Sequence, residues 1–237
     1  MNSNNFLTAQ NIYGKYCVPV SSSYTITSSA ILNSKVHEPD TIKFITEHCG
    51  NGHIIHAGAG FGDFLPALSN ACKQKIWTFE PEIENFLCAQ KTIELNQLRN
   101  VEIYNYALGS KQDKLFLKVS KNHKKLGVRS EMLNPLENTS AMDLQLTEVY
   151  KLDAVIPQNI NISIIHLDVE GYEHEVLKGS RMIIDQYSPL IILEIHTEAL
   201  KYNDMMDELQ YKPFKQLIYD AGPMVFVNTV YKKIECS

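Results

Sequence analysis

The chain has 237 residues, enough for one domain or at most two and for a buried core. Hydrophobic residues make up 44% and charged residues 21%, close to the averages of globular proteins, so the composition excludes a disordered or fibrous chain. The formal net charge of −5 argues against a general nucleic-acid binder. A short basic cluster at residues 121–125 is interpreted as part of a solvated loop.

The cysteines and the N-terminal residues favour a cytoplasmic protein. The five cysteines are odd in number and form no C-x-x-C pair, so we expect neither a disulfide framework nor a zinc motif. No basic segment followed by an apolar run opens the chain, and serines interrupt the uncharged stretch 16–34, so we predict no signal peptide and no membrane helix. We expect residues 1–35 to form an arm, a lid or a subunit contact ahead of one domain over 36–237.

From residue 36 onward, helix-like and strand-like stretches alternate, as in an α/β sheet. The predicted elements of the first half are a helix from Pro39 to near Gly50, a strand His53–Ala57, a helix over 62–72, a strand Ile76–Phe79, a helix starting at Pro81, a strand Val101–Tyr106 and an edge strand Leu115–Val119. Residues 121–140 are polar and aperiodic, so we predict a long loop. In the second half we predict strands over 160–168 and 190–195, a helix over 172–185, a weaker helix near 204–209 and a hairpin of 211–218 with 224–231.

A glycine turn after the first strand of the domain is the most informative segment. The strand runs into Gly58, Gly60 and Gly62, and a helix follows. Glycine lets a ligand approach the backbone, and the helix N-terminus binds negative groups. The dinucleotide fingerprint requires a third glycine where this chain has Asp63, and an acid there opposes a pyrophosphate and suits an amino group.

An acid follows the next strand at the spacing expected for a nucleoside site. Glu80 lies 22 residues beyond Gly58, where a carboxylate holds ribose hydroxyls in nucleotide-binding sheets. The alternative is that Glu80 only caps a helix beginning at Pro81. With the glycine turn in place we favour the ribose role, and the two signals together indicate a nucleoside ligand without a diphosphate.

A second polar turn, Asp168 to Glu173, follows the buried strand over 160–168. His166 and Asp168 share one face of that strand, while Glu194 and His196 share a face of the next. If the two strands are neighbours, these side chains converge at the carboxyl edge of the sheet, where open α/β sheets bind ligands.

Three interpretations of this second cluster stay open. It orients a substrate and supplies a general base, it binds a divalent metal, or its acids only favour a helix N-terminus. The third suits Glu173 and His174 best. A site role suits Asp168, and a metal is not favoured because no tight ligand spacing supports one.

In this order, the motifs resemble the FkbM family of S-adenosylmethionine-dependent methyltransferases over roughly residues 36–200. The resemblance rests on a set of short segments, of which D-V-E-G-x-E is the most specific: Glu38-Pro39, Gly58-Ala59-Gly60-Phe61-Gly62, Phe79-Glu80-Pro81, Asn105-Tyr106-Ala107-Leu108-Gly109, Leu152-Asp153, Asp168-Val169-Glu170-Gly171-Tyr172-Glu173, Val176-Leu177-Lys178-Gly179 and Glu194. It implies an α/β, Rossmann-like fold with a seven-stranded, mostly parallel sheet, helices on both faces and an antiparallel strand near the C-terminus.

The resemblance also implies the roles of individual residues. The glycine turn would pass under the amino-acid part of S-adenosylmethionine, with Asp63 near its ammonium group and Glu80 on the ribose. Asp168 would lie near the sulfonium and the incoming nucleophile. The residues implied in cofactor binding are Gly58, Ala59, Gly60, Phe61, Gly62, Asp63, Glu80, Pro81, Asn105, Tyr106, Ala107 and Asp168.

Three departures from the family pattern concern His56, Gly60 and His166. The family usually has an acid where this chain has His56, commonly Asn at the position of Gly60, and Lys or a similar residue near His166. The missing acid removes one anchor of the donor's amino group, which Asp63 would replace.

The predicted reaction is transfer of a methyl group to a hydroxyl, with a sugar or small metabolite as the favoured acceptor. Asp168 or His166 would act as base, while Glu194 and His196 would orient the acceptor. The alternatives are a non-catalytic nucleoside-binding module and, with less support, a nicotinamide-dependent oxidoreductase. We expect S-adenosylmethionine as cofactor, a small-molecule acceptor and no nucleic-acid or membrane partner, and we leave the use of a divalent metal, which is not favoured, and the oligomeric state open.

Overall fold

The computed structural model describes residues 5–119, 130–133, 144–194 and 199–234. In chain order its strands are β1 (Phe6–Gln10), β2 (Lys15–Pro19), β3 (His53–Ala57), β4 (Ile76–Phe79), β5 (Val101–Tyr104), β6 (Ala107–Leu108), β7 (Asp113–Val119), β8 (Ser130–Leu133), β9 (Leu144–Tyr150), β10 (Ile162–Leu167), β11 (Leu190–Glu194), β12 (Tyr211–Asp220) and β13 (Val225–Lys233). Its α-helices are α1 (Ile26–Leu32), α2 (Pro39–His48), α3 (Leu65–Ala71), α4 (Ile83–Asn96), α5 (Leu152–Val155), α6 (Glu173–Lys178), α7 (Arg181–Tyr187) and α8 (Ala199–Glu208), with a 3-10 turn at Val20–Ser22.

A seven-stranded sheet forms the centre of the fold, in the order β12-β13-β11-β10-β3-β4-β5. Strand β13 is antiparallel to both neighbours, and the other strands run parallel to one another. Ile54, Ile55, Ile164 and Ile165 have no exposed surface, because helices cover both faces of the parallel strands and the buried strands therefore read as apolar runs. The predicted fold class and the C-terminal hairpin are confirmed.

A second sheet, β6-β9-β7-β8, corrects three expectations. The strand predicted over Val101–Tyr106 ends at Tyr104, and the chain then enters the second sheet. The predicted edge strand Leu115–Val119 lies in this second sheet, paired with β9, which the sequence analysis did not identify. The loop predicted over 121–140 contains strand β8, and its other residues lie outside the described part of the chain.

Two helices also begin or end elsewhere than predicted. The helix predicted over 62–72 begins at Leu65, and the helix expected at Pro81 begins at Ile83, where Glu82 accepts hydrogen bonds from the N–H groups of Glu84 and Asn85. The helix predicted over 172–185 is two helices, α6 and α7, separated at Gly179. A Cβ on Gly179 would lie 2.0 Å from the carbonyl oxygen of Gly109, so this glycine permits close packing of two backbones.

The N-terminal segment, residues 5–37, packs on the domain. Strand β2 lies along α4, where the N–H of Cys17 donates to Oγ1 of Thr92 at 3.1 Å. Cys17 and Cys88 share a small apolar core with Phe61 of the glycine turn. The expected arm is therefore a hairpin and a helix seated beside the glycine turn, and its opening as a lid stays a prediction. No helix within the described ranges is long and apolar enough to span a bilayer.

Candidate active site

A cleft opens at the carboxyl ends of β3, β4 and β10. It encloses about 1130 Å³ not occupied by protein atoms, counting its open mouth, which is ample for a nucleoside-sized ligand. Of the residues predicted to bind the cofactor, the following line it: Gly58, Gly60, Phe61, Asp63, Glu80, Pro81, Tyr106, Ala107 and Asp168. Ala59, Gly62 and Asn105 do not belong to the lining.

The three glycines of the turn have different roles. All have positive φ, between 51° and 87°. A Cβ on Gly58 would lie 1.7 Å from the carbonyl oxygen of Asp168, and one on Gly62 would lie 3.1 Å from Leu65, so these two residues permit close packing. A Cβ on Gly60 would meet nothing nearer than 3.9 Å, hence this glycine alone leaves open space above the turn.

Glu80 faces the cleft and is held there by backbone donors. The N–H of Gly60 donates to Oε2 at 2.7 Å, and the N–H of Glu82 donates to Oε1 at 2.8 Å. These bonds fix the orientation of the carboxylate, and Glu80 belongs to the lining of the cleft. Glu80 therefore links the glycine turn to β4 and does not serve only as a helix cap.

Aromatic and apolar residues form the end of the cleft beyond Glu80. Tyr106 packs against Phe79 and Tyr150, and Leu108 of β6 and Leu117 of β7 complete this wall. Asn105 instead donates from Nδ2 to the carbonyl oxygens of Glu80 and Pro81, at 2.9 and 3.1 Å, and so fixes the turn after β4. The second sheet thus supplies one wall of the site.

Carboxyl groups gather at the opposite end. Asp168 is hydrogen-bonded to Glu194, and burial together with the charge of Glu194 raises the pKa of Asp168 well above its usual value. A hydrogen bond between two carboxyl groups requires a proton, so the pair holds one. Burial also raises the pKa of Asp63 to about 7 and, with the charge of Glu194, that of Glu38 to about 8.

Two histidines lie behind this cluster. Nδ1 of His56 and Nδ1 of His166 are 3.0 Å apart across paired residues of β3 and β10. Burial lowers the pKa of His166 to about 4 and that of His56 well below its usual value, so both rings are neutral at pH 7. His56 lines the cleft, whereas His166 is buried and does not belong to the lining. His196 lies outside the described residues.

Asn228 of β13 connects His166 to the start of α2. Its Nδ2 donates to Glu38 at 2.5 Å and to Thr41 at 3.2 Å, and its side chain raises the pKa of His166. Nε2 of His166 and Oδ1 of Asn228 have no regular hydrogen-bond partner among the described residues. If His56 donates to Nδ1 of His166, the ring proton of His166 lies on Nε2, which is then a donor facing the acceptor Oδ1 of Asn228. In this tautomer, polar groups connect His56 to Glu38 without interruption.

The acids of the D-V-E-G-x-E turn have two different roles, since one stabilises the turn and two line the cleft. Glu173 is buried and accepts from the N–H groups of Val169 and Gly171, both at 3.2 Å, and from the hydroxyl of Tyr202 at 2.6 Å. Glu173 is the first residue of α6, and its carboxylate holds the turn that precedes this helix. Glu170, at φ 55°, lines the cleft with Asp168.

Sequence analysis missed several residues of the cleft. Those with polar side chains are Ser22, Thr25, Thr27, Ser28, His37 and Asn85. The first four belong to the uncharged serine- and threonine-rich stretch, which lacks the periodicity that would place it in the fold. The described residues contain no group of three or more His, Cys, Asp or Glu side chains arranged to hold a metal ion.

Fold and cleft together define a Rossmann-like methyltransferase domain. The family model of the FkbM methyltransferase domain matches residues 56–215, more than half of the chain. The chain belongs to the FkbM methyltransferase family, as its motifs predicted. No curated protein matches the chain significantly in sequence.

Solved structures of low sequence identity share the fold. Methyltransferase FkbM from Methylobacillus flagellatus KT has 16% identity and a TM-score of 0.54, with 76% of this chain and 44% of that chain covered. The tRNA (uracil-54, C5)-methyltransferase of Pyrococcus abyssi, solved with S-adenosyl-L-homocysteine, has 11% identity and a TM-score of 0.56, with 96% and 44% covered. The protein aTrm5, solved with tRNALeu, has 11% identity and a TM-score of 0.55, with 98% and 54% covered. The chain thus spans about half the length of these proteins.

Proposed function

We propose that this protein transfers a methyl group from S-adenosylmethionine to a hydroxyl of a small molecule such as a sugar. The observation that carries the proposal is the orientation of Glu80, whose carboxylate is held towards the cleft beside the open backbone of Gly60. A carboxylate in this position accepts hydrogen bonds from both hydroxyls of a ribose.

The residues of the cleft fit the proposed donor. Tyr106, Ala107 and Leu108 would border the adenine, Glu80 would hold the ribose, and the glycine turn with Asp63 would receive the amino-acid end. Bound there, S-adenosylmethionine supplies an electrophilic methyl group on a positively charged sulfur. The carboxyl groups at Asp168 and Glu170 suit that charge.

Asp168 is the residue we assign as general base, because it lines the cleft while His166 does not. Its ionised carboxylate takes the proton of the acceptor hydroxyl, and Glu194, hydrogen-bonded to it, positions the group and sets its pKa. A general base adds about 10²–10⁴-fold to the rate, and alignment of the reactants contributes more.

The charge of the cleft supports a small acceptor over a nucleic acid. Among the described residues that line it are four acids, Asp63, Glu80, Asp168 and Glu170, and no lysine or arginine. Phosphates bind where basic side chains neutralise them, so this lining disfavours a phosphate backbone.

Thermal shift and turnover test the proposal. S-adenosylhomocysteine should raise the melting temperature while NAD should not, since only a bound ligand stabilises the folded state; the opposite result would favour an oxidoreductase. Transfer of labelled methyl groups should then be measured over a panel of sugars, other alcohols and RNA. Asp168→Asn should lower the rate of transfer by about 10²–10⁴-fold and keep S-adenosylhomocysteine binding, whereas Asp185→Asn, an exposed residue of α7, should change neither. Donor binding without transfer to any acceptor would favour the non-catalytic module.

A further inference from the structure

Two buried polar atoms of the N-terminal segment lack a partner within the described residues. They are Oγ of Ser28 and Nδ1 of His37, whose residues are 0% and 5% exposed. A buried polar group without a hydrogen bond destabilises the folded protein. Both residues line the cleft, so a bound ligand is the group that would satisfy them.

The surroundings of His37 fix which hydrogen bond it offers. Its ring packs edge-on against Tyr219 and Phe226, with centroids 5.2 and 5.0 Å away, which prevents free rotation. Nε2 lies 3.2 Å from the hydroxyl of Thr27 and 3.5 Å from the carboxyl of Glu38. An imidazole nitrogen has one lone pair, so Nε2 accepts one hydrogen bond, from the nearer hydroxyl of Thr27, in the tautomer that carries the ring proton on Nδ1.

Ser28 is placed by the start of α1. Its N–H donates to Oγ1 of Thr25 at 3.2 Å, the N-terminal cap of this helix. The hydroxyl of Ser28 and Nδ1–H of His37 are thus two neutral donors on one wall of the cleft. Both groups can donate a hydrogen bond to a carboxylate that enters the cleft.

Asp63 lies in the same cleft and, unlike the two donors, offers a hydrogen-bond acceptor. It accepts from backbone N–H groups, and its carboxylate has capacity for a positively charged donor. A carboxylate acceptor together with neutral donors matches an α-amino acid, which carries one ammonium and one carboxylate. His56 replaces the acid that would otherwise hold the ammonium in this family.

We propose that Ser28 and His37 bind the carboxylate at the amino-acid end of S-adenosylmethionine, while Asp63 binds its ammonium group. This inference rests on the proposed function and assigns the N-terminal segment a direct part in donor binding. The domain would then be incomplete as a donor site without residues 25–37.

Ligands with and without the amino-acid end test this subsite. Isothermal titration calorimetry would compare S-adenosylhomocysteine with 5′-methylthioadenosine, which shares the nucleoside and thioether only. In Ser28→Ala and His37→Phe, affinity for S-adenosylhomocysteine should fall about tenfold to a hundredfold, the effect of losing a hydrogen bond to a charged group. Affinity for 5′-methylthioadenosine should stay within about twofold. His48→Phe and Thr46→Ala on α2, away from the cleft, serve as matched controls and should bind both ligands normally.

Each other outcome has a distinct meaning. Equal weakening of both ligands would overturn the subsite, because the residues would then only shape the cleft. Unchanged affinity for S-adenosylhomocysteine with a raised acceptor KM would also overturn it, because Ser28 and His37 would then contact the acceptor. Unchanged affinity for S-adenosylhomocysteine with an unchanged acceptor KM would overturn the subsite as well. Failure of the wild-type protein to bind either ligand would overturn the proposed function and this inference with it. The stability of the ligand-free Ser28→Ala variant, measured by urea unfolding, should not fall, since the hydroxyl has no partner to lose.

Discussion

Gly58 and Asp168 touch backbone to backbone: a Cβ on Gly58 would lie 1.7 Å from the carbonyl oxygen of Asp168. The N–H of Asp168 also donates to the carbonyl oxygen of Ala57 at 3.0 Å. The glycine turn and the polar turn after β10 are therefore one unit, and the position of each determines that of the other.

This contact makes Gly58 the most sensitive glycine of the site. In Gly58→Ala the strand ends must separate, and φ of 87° adds backbone strain, so we expect the free energy of unfolding in urea to fall by about 3 kcal/mol or more. Gly171→Ala is the matched control, since Gly171 has φ of 91° but a Cβ there would meet no described atom within 4 Å. It should cost only the strain, about 1 kcal/mol. Equal losses in the two variants would contradict the contact.

The sequence identified this unit because its signals are local. Gly58, Glu80 and Asp168 each follow an apolar strand, and parallel strands bring their carboxyl ends to one edge. His37 and Ser28 were missed because their part in the cleft depends on contacts distant in sequence, such as those of His37 with Tyr219 and Phe226.

The second sheet was also missed because its pairing depends on residues that are distant in sequence. Strand β7 was recognised from its own residues, but its partner β9 begins 25 residues beyond the end of β7, and no alternation in β7 indicates which strand it pairs with. Local spacing therefore predicted the elements better than it predicted their pairing. Gly179 interrupted a predicted helix for a similar reason, because the carbonyl it accommodates belongs to Gly109.

Stability should decrease with pH above neutrality because of the buried acids. The folded-state pKa of Glu38 is about 8 and that of Asp63 about 7, above their usual values of 4.5 and 3.8. The folded protein therefore binds more protons than the unfolded chain over this window, and stability is lost as the pH rises through the folded pKa values. His37, His56 and His166, whose pKa values are lowered, oppose this trend only below about pH 6.5.

Urea unfolding between pH 6.5 and 8 measures this effect. We expect the wild-type protein to lose on the order of 2 kcal/mol over the window. Glu38→Gln keeps an acceptor for Asn228 and removes the titration, so it should flatten the decrease and exceed the wild type at pH 8. Glu47→Gln, exposed on the same helix, should behave as wild type. A wild-type stability that rises over this window would contradict the assignment.

Glu194 should set the pH at which Asp168 ionises. An ionised Asp168 attracts the sulfonium of S-adenosylmethionine but gains nothing from the neutral sulfur of S-adenosylhomocysteine. The ratio of their Kd values should therefore increasingly favour S-adenosylmethionine as the pH rises, with a midpoint at the raised pKa of Asp168. Calorimetry as a function of pH measures this without knowledge of the acceptor.

Variants of the two neighbouring acids distinguish their contributions. Glu194→Gln removes the largest charge effect on Asp168 and Glu170→Gln a smaller one, so both should move the midpoint to lower pH, Glu194→Gln further. Glu175→Gln, on the outside of α6, is the control. If the midpoint does not move in Glu194→Gln, Glu194 does not affect the pH at which Asp168 ionises.

Cys17 and Cys88 are positioned to form a disulfide under oxidation. Their sulfur atoms lie 3.3 Å apart, both residues are buried, and neither forms a disulfide in the structure. The hydrogen bond between them lowers the pKa of Cys17, which favours the reactive thiolate. Since Cys17 belongs to the N-terminal segment and Cys88 to α4, the bond would fasten that segment beside the glycine turn.

Treatment with diamide should therefore link these two residues. The azo compound takes up the two thiol hydrogens and is reduced to a hydrazine, and peptide mapping should find Cys17 joined to Cys88 in preference to Cys49 joined to Cys72. The linked protein should be more stable in urea by about 2–4 kcal/mol, because the unfolded chain is constrained by a loop of this length. If the segment is already seated when the donor binds, as the Ser28 and His37 subsite requires, the linked protein should keep its affinity for S-adenosylhomocysteine. Loss of affinity on linking, restored by dithiothreitol and absent in Cys88→Ser, would instead show that the segment must move away from α4 for the donor to enter.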